Sequence, residues 1–133
     1  MTTGAEANVS VVRGMWEAFL RNDFEGALAA FATDVEWDGT NLPDGKLSRG
    51  REAVLEHVTG WAETWEDWHV DLEDVIDAGD GRVIAFIRER GRSKAGLEIN
   101  ERHSELYIVR DARIVYRKGF SDADQALDAA GLR

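Results

Sequence analysis

Residues 97–120, LEINERHSELYIVRDARIVYRKGF, decide how this chain folds. Two apolar-polar alternations meet at Arg110, Asp111 and Ala112, which is the pattern of a β-hairpin. Side chains along a strand alternate faces, so Glu101, His103, Glu105 and Tyr107 share one face and Arg102, Ser104, Leu106 and Ile108 the other. Three adjacent ionisable groups therefore point the same way. A carboxylate, an imidazole and a second carboxylate are costly against a core unless they border a polar cavity or lie in solvent. Which of the two holds is the question of function.

Working outward, the 133 residues suffice for one core and are too few for two, so a single domain spanning 1–133 is expected. A hydrophobic fraction of 44% with five Trp and five Phe argues for a folded globule. No apolar run is long enough to span a bilayer, and the opening MTTGAEANVS lacks the basic start and apolar stretch of a signal peptide. A soluble, cytoplasmic protein is the expectation. Sixteen basic against twenty-six acidic residues leave a net charge of −10, which repels phosphate backbones and anionic membrane surfaces. Neither nucleic acid nor a membrane is expected as a partner. The absence of cysteine excludes disulfides, thiolate metal sites and cysteine nucleophiles.

Taken in order, residues 5–21 place Val9, Val12, Trp16, Phe19 and Leu20 on one helical stripe. Asn22 and Asp23 break it, and Asp23 can cap a second short helix carrying Phe24, Ala27, Leu28 and Phe31. Val35 to Trp37 read as a short strand. Asp38 to Gly50, with the only proline and three glycines, reads as a loop that is either a pocket rim or lid or an ordinary connection. Residues 51–68 place Val54, Val58, Trp61, Trp65 and Trp68 at helical spacing and read as the longest helix. The segments 69–77 and 82–92 are strands joined by a tight Asp80-Gly81 turn. After the opening hairpin, Ser121 with Asp124 resembles a capping box for a last short helix. The order implies an α+β fold in which an antiparallel sheet buries one face against the long helix.

FATDVEW (31–37), GREAV (50–54), VRDARIV (109–115) and the ending FSDADQALDAAGL (120–132) resemble the SnoaL-like branch of the nuclear transport factor 2-like (NTF2-like) superfamily, over nearly the whole chain. The resemblance implies a cone in which a curved sheet wraps a long helix around an internal pocket, and pairing as a homodimer. Similar proteins include polyketide cyclases, ketosteroid isomerases, dehydratases, limonene epoxide hydrolases and members without catalysis, so the fold fixes no reaction. The epoxide hydrolase motif is missing: its places hold Trp37 and Gly39, Phe86 and Arg88, and Gly119 before Phe120. Gly119 also lacks the acid that similar cyclases are expected to carry there. Ala112 departs from the usual Asp-Gly turn and suggests another turn type, because Ala tolerates positive φ poorly.

The strand register that the resemblance suggests turns Phe86, Arg88 and Arg90 towards the cavity opposite Glu101, His103 and Glu105, with Trp37, Val115 and Arg117 nearby. The catalytic candidates are then His103 as acid or base, Glu101 and Glu105 as groups that tune it, and Arg88 or Arg90 as a charge stabiliser. Trp16, Trp37, Trp61, Trp65, Phe86, Arg90, Tyr107 and Arg117 are the ligand-binding candidates. A tryptophan stripe at helical spacing also reads as plain core. The same charges read equally as cross-strand ion pairs of Arg88 and Arg90 with Glu101 and Glu105, His103 completing the network. Asp38 reads as a turn former or as a ketosteroid-isomerase-like carboxylate, and His57 and His69 as surface or capping residues. His103 and Glu105 could begin a metal site, but no i, i+4 His pair supports one, and no metal or other cofactor is assigned. The ligand expected is a small, largely apolar organic molecule with one polar or anionic group. Three readings stand: a cofactor-independent isomerase, cyclase or dehydratase; a binding protein without chemistry; or a structural dimer whose cavity is plugged by tryptophan.

Overall fold

The stripe over residues 5–21 folds as a helix, α1 (Gly4–Leu20), in a computed structural model that describes residues 4–40 and 45–132. Asn22 takes a left-handed φ of 66° after it, and Asp23 accepts a hydrogen bond from Gly26 N at 2.9 Å, capping α2 (Phe24–Ala29). The first strand starts earlier than its Val35–Trp37 core: β1 covers Phe31–Asp38. Of the 38–50 loop, residues 41–44, with the proline, lie outside the described residues, so its reading as a lid does too. Its later part forms β2 (Leu47–Arg49), which pairs with Glu36–Asp38.

The helix expected over 51–68 is shorter. α3 covers Arg51–Glu63, and the chain turns at Thr64 into β3 (Trp65–Gly79). Trp65 and Trp68 are thus strand residues, and α1, not this helix, is the longest among the described residues. Aromatic and β-branched side chains over Trp65–Ile76 suit a half-buried pleated surface better than a helix, and the strand preference prevails.

β4 (Arg82–Ser93), β5 (Glu98–Arg110) and β6 (Arg113–Phe120) complete a six-stranded sheet in the order β2-β1-β6-β5-β4-β3. The sheet is curved and unclosed, and the class is α+β, as the sequence implied. One pairing departs from an all-antiparallel sheet: β1 runs parallel to β6, setting Trp37 beside Arg117. Val12, Trp16, Val35, Val54, Val83, Ile87, Tyr107 and Ile114 form the main core between α1, α3 and the sheet's concave face. The opposite face is covered by α4 (Ala123–Ala129), whose Ala126, with the following Ala130, packs on Ile84, Phe86, Leu106 and Phe120. The cap of α4 is Asp122, which accepts from Gln125 N at 2.9 Å, while Ser121 donates to Gln125 Oε1; this replaces the expected Ser121–Asp124 box. No helix among the described residues is long and apolar enough to cross a membrane.

The β5–β6 turn keeps two central residues despite its alanine. Arg110 pairs with Arg113, and Asp111 and Ala112 take φ of 50° and 62°. Both angles are left-handed, as a two-residue hairpin matched to strand twist requires. An L-residue in that region costs roughly 1–2 kcal/mol relative to its ordinary backbone conformation. Replacing Ala112 by Gly is therefore expected to raise the unfolding free energy by about 1 kcal/mol, less the greater chain entropy of glycine in the unfolded state. Denaturant titration of the two proteins measures it; a loss of stability on Ala112→Gly would contradict the strained turn.

Candidate functional site

The alternation along β5 turns Glu101, His103, Glu105 and Tyr107 into a hollow of about 770 Å³ bounded by α1, α2, α3 and the inner faces of β1 and β3–β6, and reaching at one edge Ser121 and the Gln125 and Asp128 side chains of α4. Trp16, Trp37, Trp61 and Trp68 line this space without filling it. A cavity plugged by indoles is therefore not what forms.

β4 carries the main correction. Ile87 is the cross-strand partner of His103, and Glu89 that of Glu101, so Val83, Ala85, Ile87 and Glu89 face inward. Phe86, Arg88 and Arg90 occupy the other face. Phe86 packs under α4, Arg88 Nε donates to Asn100 Oδ1 at 3.1 Å, and Arg90 pairs with Asp71 at 3.1 Å in solvent. None of the three reaches the hollow, and Arg88 and Arg90 form no ion pairs with Glu101 or Glu105. Trp65 is also turned elsewhere: it is buried beside a second hollow of about 560 Å³ that it shares with Trp61, Leu97 and Ile99.

The residue that sequence reasoning missed is Glu89. Its Oε2 accepts hydrogen bonds from Trp61 Nε1 and Trp68 Nε1, both at 3.0 Å, and its Oε1 lies 3.3 Å from His103 Nδ1. A hairpin centred on Ala95 pairs Glu89 with Glu101, and that symmetry was the available signal. On the other side of the ring, His103 Nε2 stands 3.7 Å from Glu105 Oε2, an ion-pair separation too long for a hydrogen bond. The buried Oε2 has no hydrogen-bond partner among the described residues. Burial by itself would lower the His103 pKa, but Glu105 and then Glu89 outweigh it and hold the imidazole above its ordinary value.

Beneath it, Glu105 is paired with Arg117, whose Nε and Nη2 both donate to Oε1. Burial favours the neutral acid here, yet the Arg117 guanidinium outweighs it and holds the carboxyl at about 2. Arg117 also lies over the Trp37 ring at 4.1 Å, and the imidazole of His57 stacks parallel to the same indole at 5.4 Å. His57, read as a surface residue, is exposed and at the same time borders the hollow's mouth. Burial and the Arg117 charge lower its pKa. His69 is paired with Asp67 at 2.9 Å away from the site. Gly119 supplies room for Arg117: a Cβ there would stand 3.0 Å from Nη2.

Tyr107 forms the floor, accepting from Trp16 Nε1 at 3.1 Å, and burial pushes its hydroxyl well above the ordinary value. Asp38, on the strand face opposite Trp37 and beside Lys118, accepts from Thr40 N at 2.9 Å as a turn former does, and also from the Tyr116 hydroxyl at 2.5 Å. Burial opposes its charge, but these donors and Lys118 hold it at about 2, which makes it a poor base. No group of three or more His, Asp or Glu converges as metal ligands among the described residues.

Comparison with known proteins returns a consistent result. The family model described as a SnoaL-like domain matches residues 12–117. An uncharacterized protein of Mycobacterium tuberculosis is similar at 34% identity over 112 residues, covering 82% of this chain and 84% of the relative. Among solved structures, Bal32a from a soil-derived mobile gene cassette superposes with a TM-score of 0.79 at 22% identity, covering 96% of this chain and 98% of that one. A Mycobacterium tuberculosis protein solved in complex with estradiol-17beta-hemisuccinate gives 0.70 at 20% identity, covering 89% and 95%. At these identities the structures speak for the fold alone.

Proposed function

The chain belongs to the SnoaL-like domain family, and from that premise we propose that it is a cofactor-independent acid/base enzyme, an isomerase, cyclase or dehydratase acting on a small hydrophobic metabolite. The supporting observation is His103, set between Glu89 and Glu105 on the wall of an indole-lined hollow. Nδ1 is engaged by Glu89. Nε2, with no close hydrogen bond to protein, is the nitrogen left for a ligand. In the imidazolium form it can protonate a carbonyl or hydroxyl oxygen, and the imidazole then recovers a proton from the neighbouring carbon. Glu105 acts through the imidazole as a tuning charge, held ionised by Arg117, and Glu89 orients the ring. Glu101 stands at the mouth to orient the ligand. Arg88, Arg90 and Phe86 have no part. The domain is further proposed to pair as a homodimer and to work in the cytoplasm.

The test is a panel of small apolar ketones and hydroxyketones incubated with the protein in deuterated water and followed by proton NMR. Deuterium uptake beside the carbonyl, or loss of water, is expected for at least one member. A binding protein without chemistry is the second reading, favoured by the ion pair of Glu105 with Arg117, which balances the deepest charges without a substrate. It calls for a panel member that raises the melting temperature and is recovered unlabelled.

A further inference from the structure

The charges that line the hollow are unequal. On the inner rows Glu89, Glu101 and Glu105 stand against Arg117, with His57 and His103 as the titratable groups, while Asp38, Lys118 and Asp128 line an edge from the β6–α4 side. Both fixed cations are already engaged, Arg117 with Glu105 and Lys118 with Asp38 at 3.8 Å. Neither is left to receive an anion. Glu89 and Glu101 are direct cross-strand partners on the inner face. Like charges so placed destabilise a sheet. Among the described residues no Lys or Arg pairs with either of them, and Glu89 has only His103 as an ionic neighbour. Trp61 and Trp68 stand beside the same carboxylate, held there by their indole N–H groups.

We propose that the hollow takes a ligand with a cationic head, an organic ammonium on an apolar body, seated between Glu89 and Glu101 at the mouth. This rests on the reading of the hollow as a ligand site and replaces the anionic group expected from the sequence. The ammonium relieves the opposed carboxylates. No three ligating side chains converge here for a metal ion among the described residues, which leaves the charge to an organic cation. The chain's net charge of −10 draws cations towards it at long range.

The experiment is calorimetric titration with naphthylmethylamine, naphthylmethanol and naphthoate, three probes of one ring system and three charges, at low salt and neutral pH. The amine is expected to bind roughly tenfold or more tighter than naphthoate, the alcohol falling between, as one neighbouring charge provides. Glu101→Gln, at an exposed position, is expected to narrow the gap between amine and alcohol. Naphthoate as the tightest probe, or an amine preference untouched by Glu101→Gln, overturns the inference and leaves the ligand site standing. Binding of none of the three overturns the ligand site and the inference together.

Discussion

Replacing Glu105 by Gln is expected to lower the unfolding free energy by about 3–5 kcal/mol, the usual cost of removing one partner of a buried ion pair. Glu105 keeps 4% of its side-chain surface exposed and Arg117 16%, so the guanidinium left behind is short of both solvent and carboxylate. The amide has nearly the same shape, which separates the loss of charge from the making of a cavity. An exposed pair provides the contrast. Arg49 and Glu36, 3.1 Å apart with 70% and 36% of their side-chain surfaces in solvent, should contribute no more than about 1 kcal/mol, so Glu36→Gln is expected to be nearly silent.

The pH dependence follows in sign from the same pair. The folded-state pKa of Glu105, about 2, lies below its ordinary 4.5, so its contribution is present above 4.5 and is lost as the pH falls towards 2. The difference between the wild-type protein and Glu105→Gln should therefore shrink in acid. His103 works in reverse. Its folded pKa is raised above 6.5, so its contribution is complete below 6.5 and disappears as the pH rises through the folded value. Together the two groups favour a stability maximum on the acid side of neutrality.

The second large effect concerns turnover. His103→Ala is expected to reduce the rate by about 10²–10⁴-fold with any substrate the ketone panel identifies, the range for loss of a positioned acid or base. The fold should survive, because Glu89 keeps its two indole donors and Glu105 keeps Arg117. In the wild-type protein the rate should decline as the pH rises through the raised His103 value, where the acid form is lost. Unchanged turnover in His103→Ala would remove the imidazole from the chemistry.

The inward trio was legible because β5 alternates strictly, so one reading of parity places every side chain. β4 offered no such guide. Val83 to Ile87 is an unbroken apolar run because both faces are covered, the inner by the main core and the outer by α4, and burial on both faces erases the alternation. The following Arg88-Glu89-Arg90 then fits either parity, and the wrong one exchanged Glu89 for two arginines. Trp61, Trp65 and Trp68 misled for a related reason. Their spacing continues a helix, but the chain turns at Thr64 into β3, where Trp68 lines the hollow and Trp65, at the strand's start, borders the second one. The Glu105–Arg117 pair joins β5 to β6 through register alone, and Arg117 was reachable because Tyr107 sits opposite it.

NMR titration of the three imidazoles, His57, His69 and His103, tests most directly whether two carboxylates hold His103 inside the hollow. His103 should titrate above 6.5 and move downward in Glu89→Gln, while His57, stacked on Trp37 near Arg117, should titrate below 6.5 in the same spectrum. A His103 midpoint at or below 6.5, unmoved by Glu89→Gln, would contradict the site.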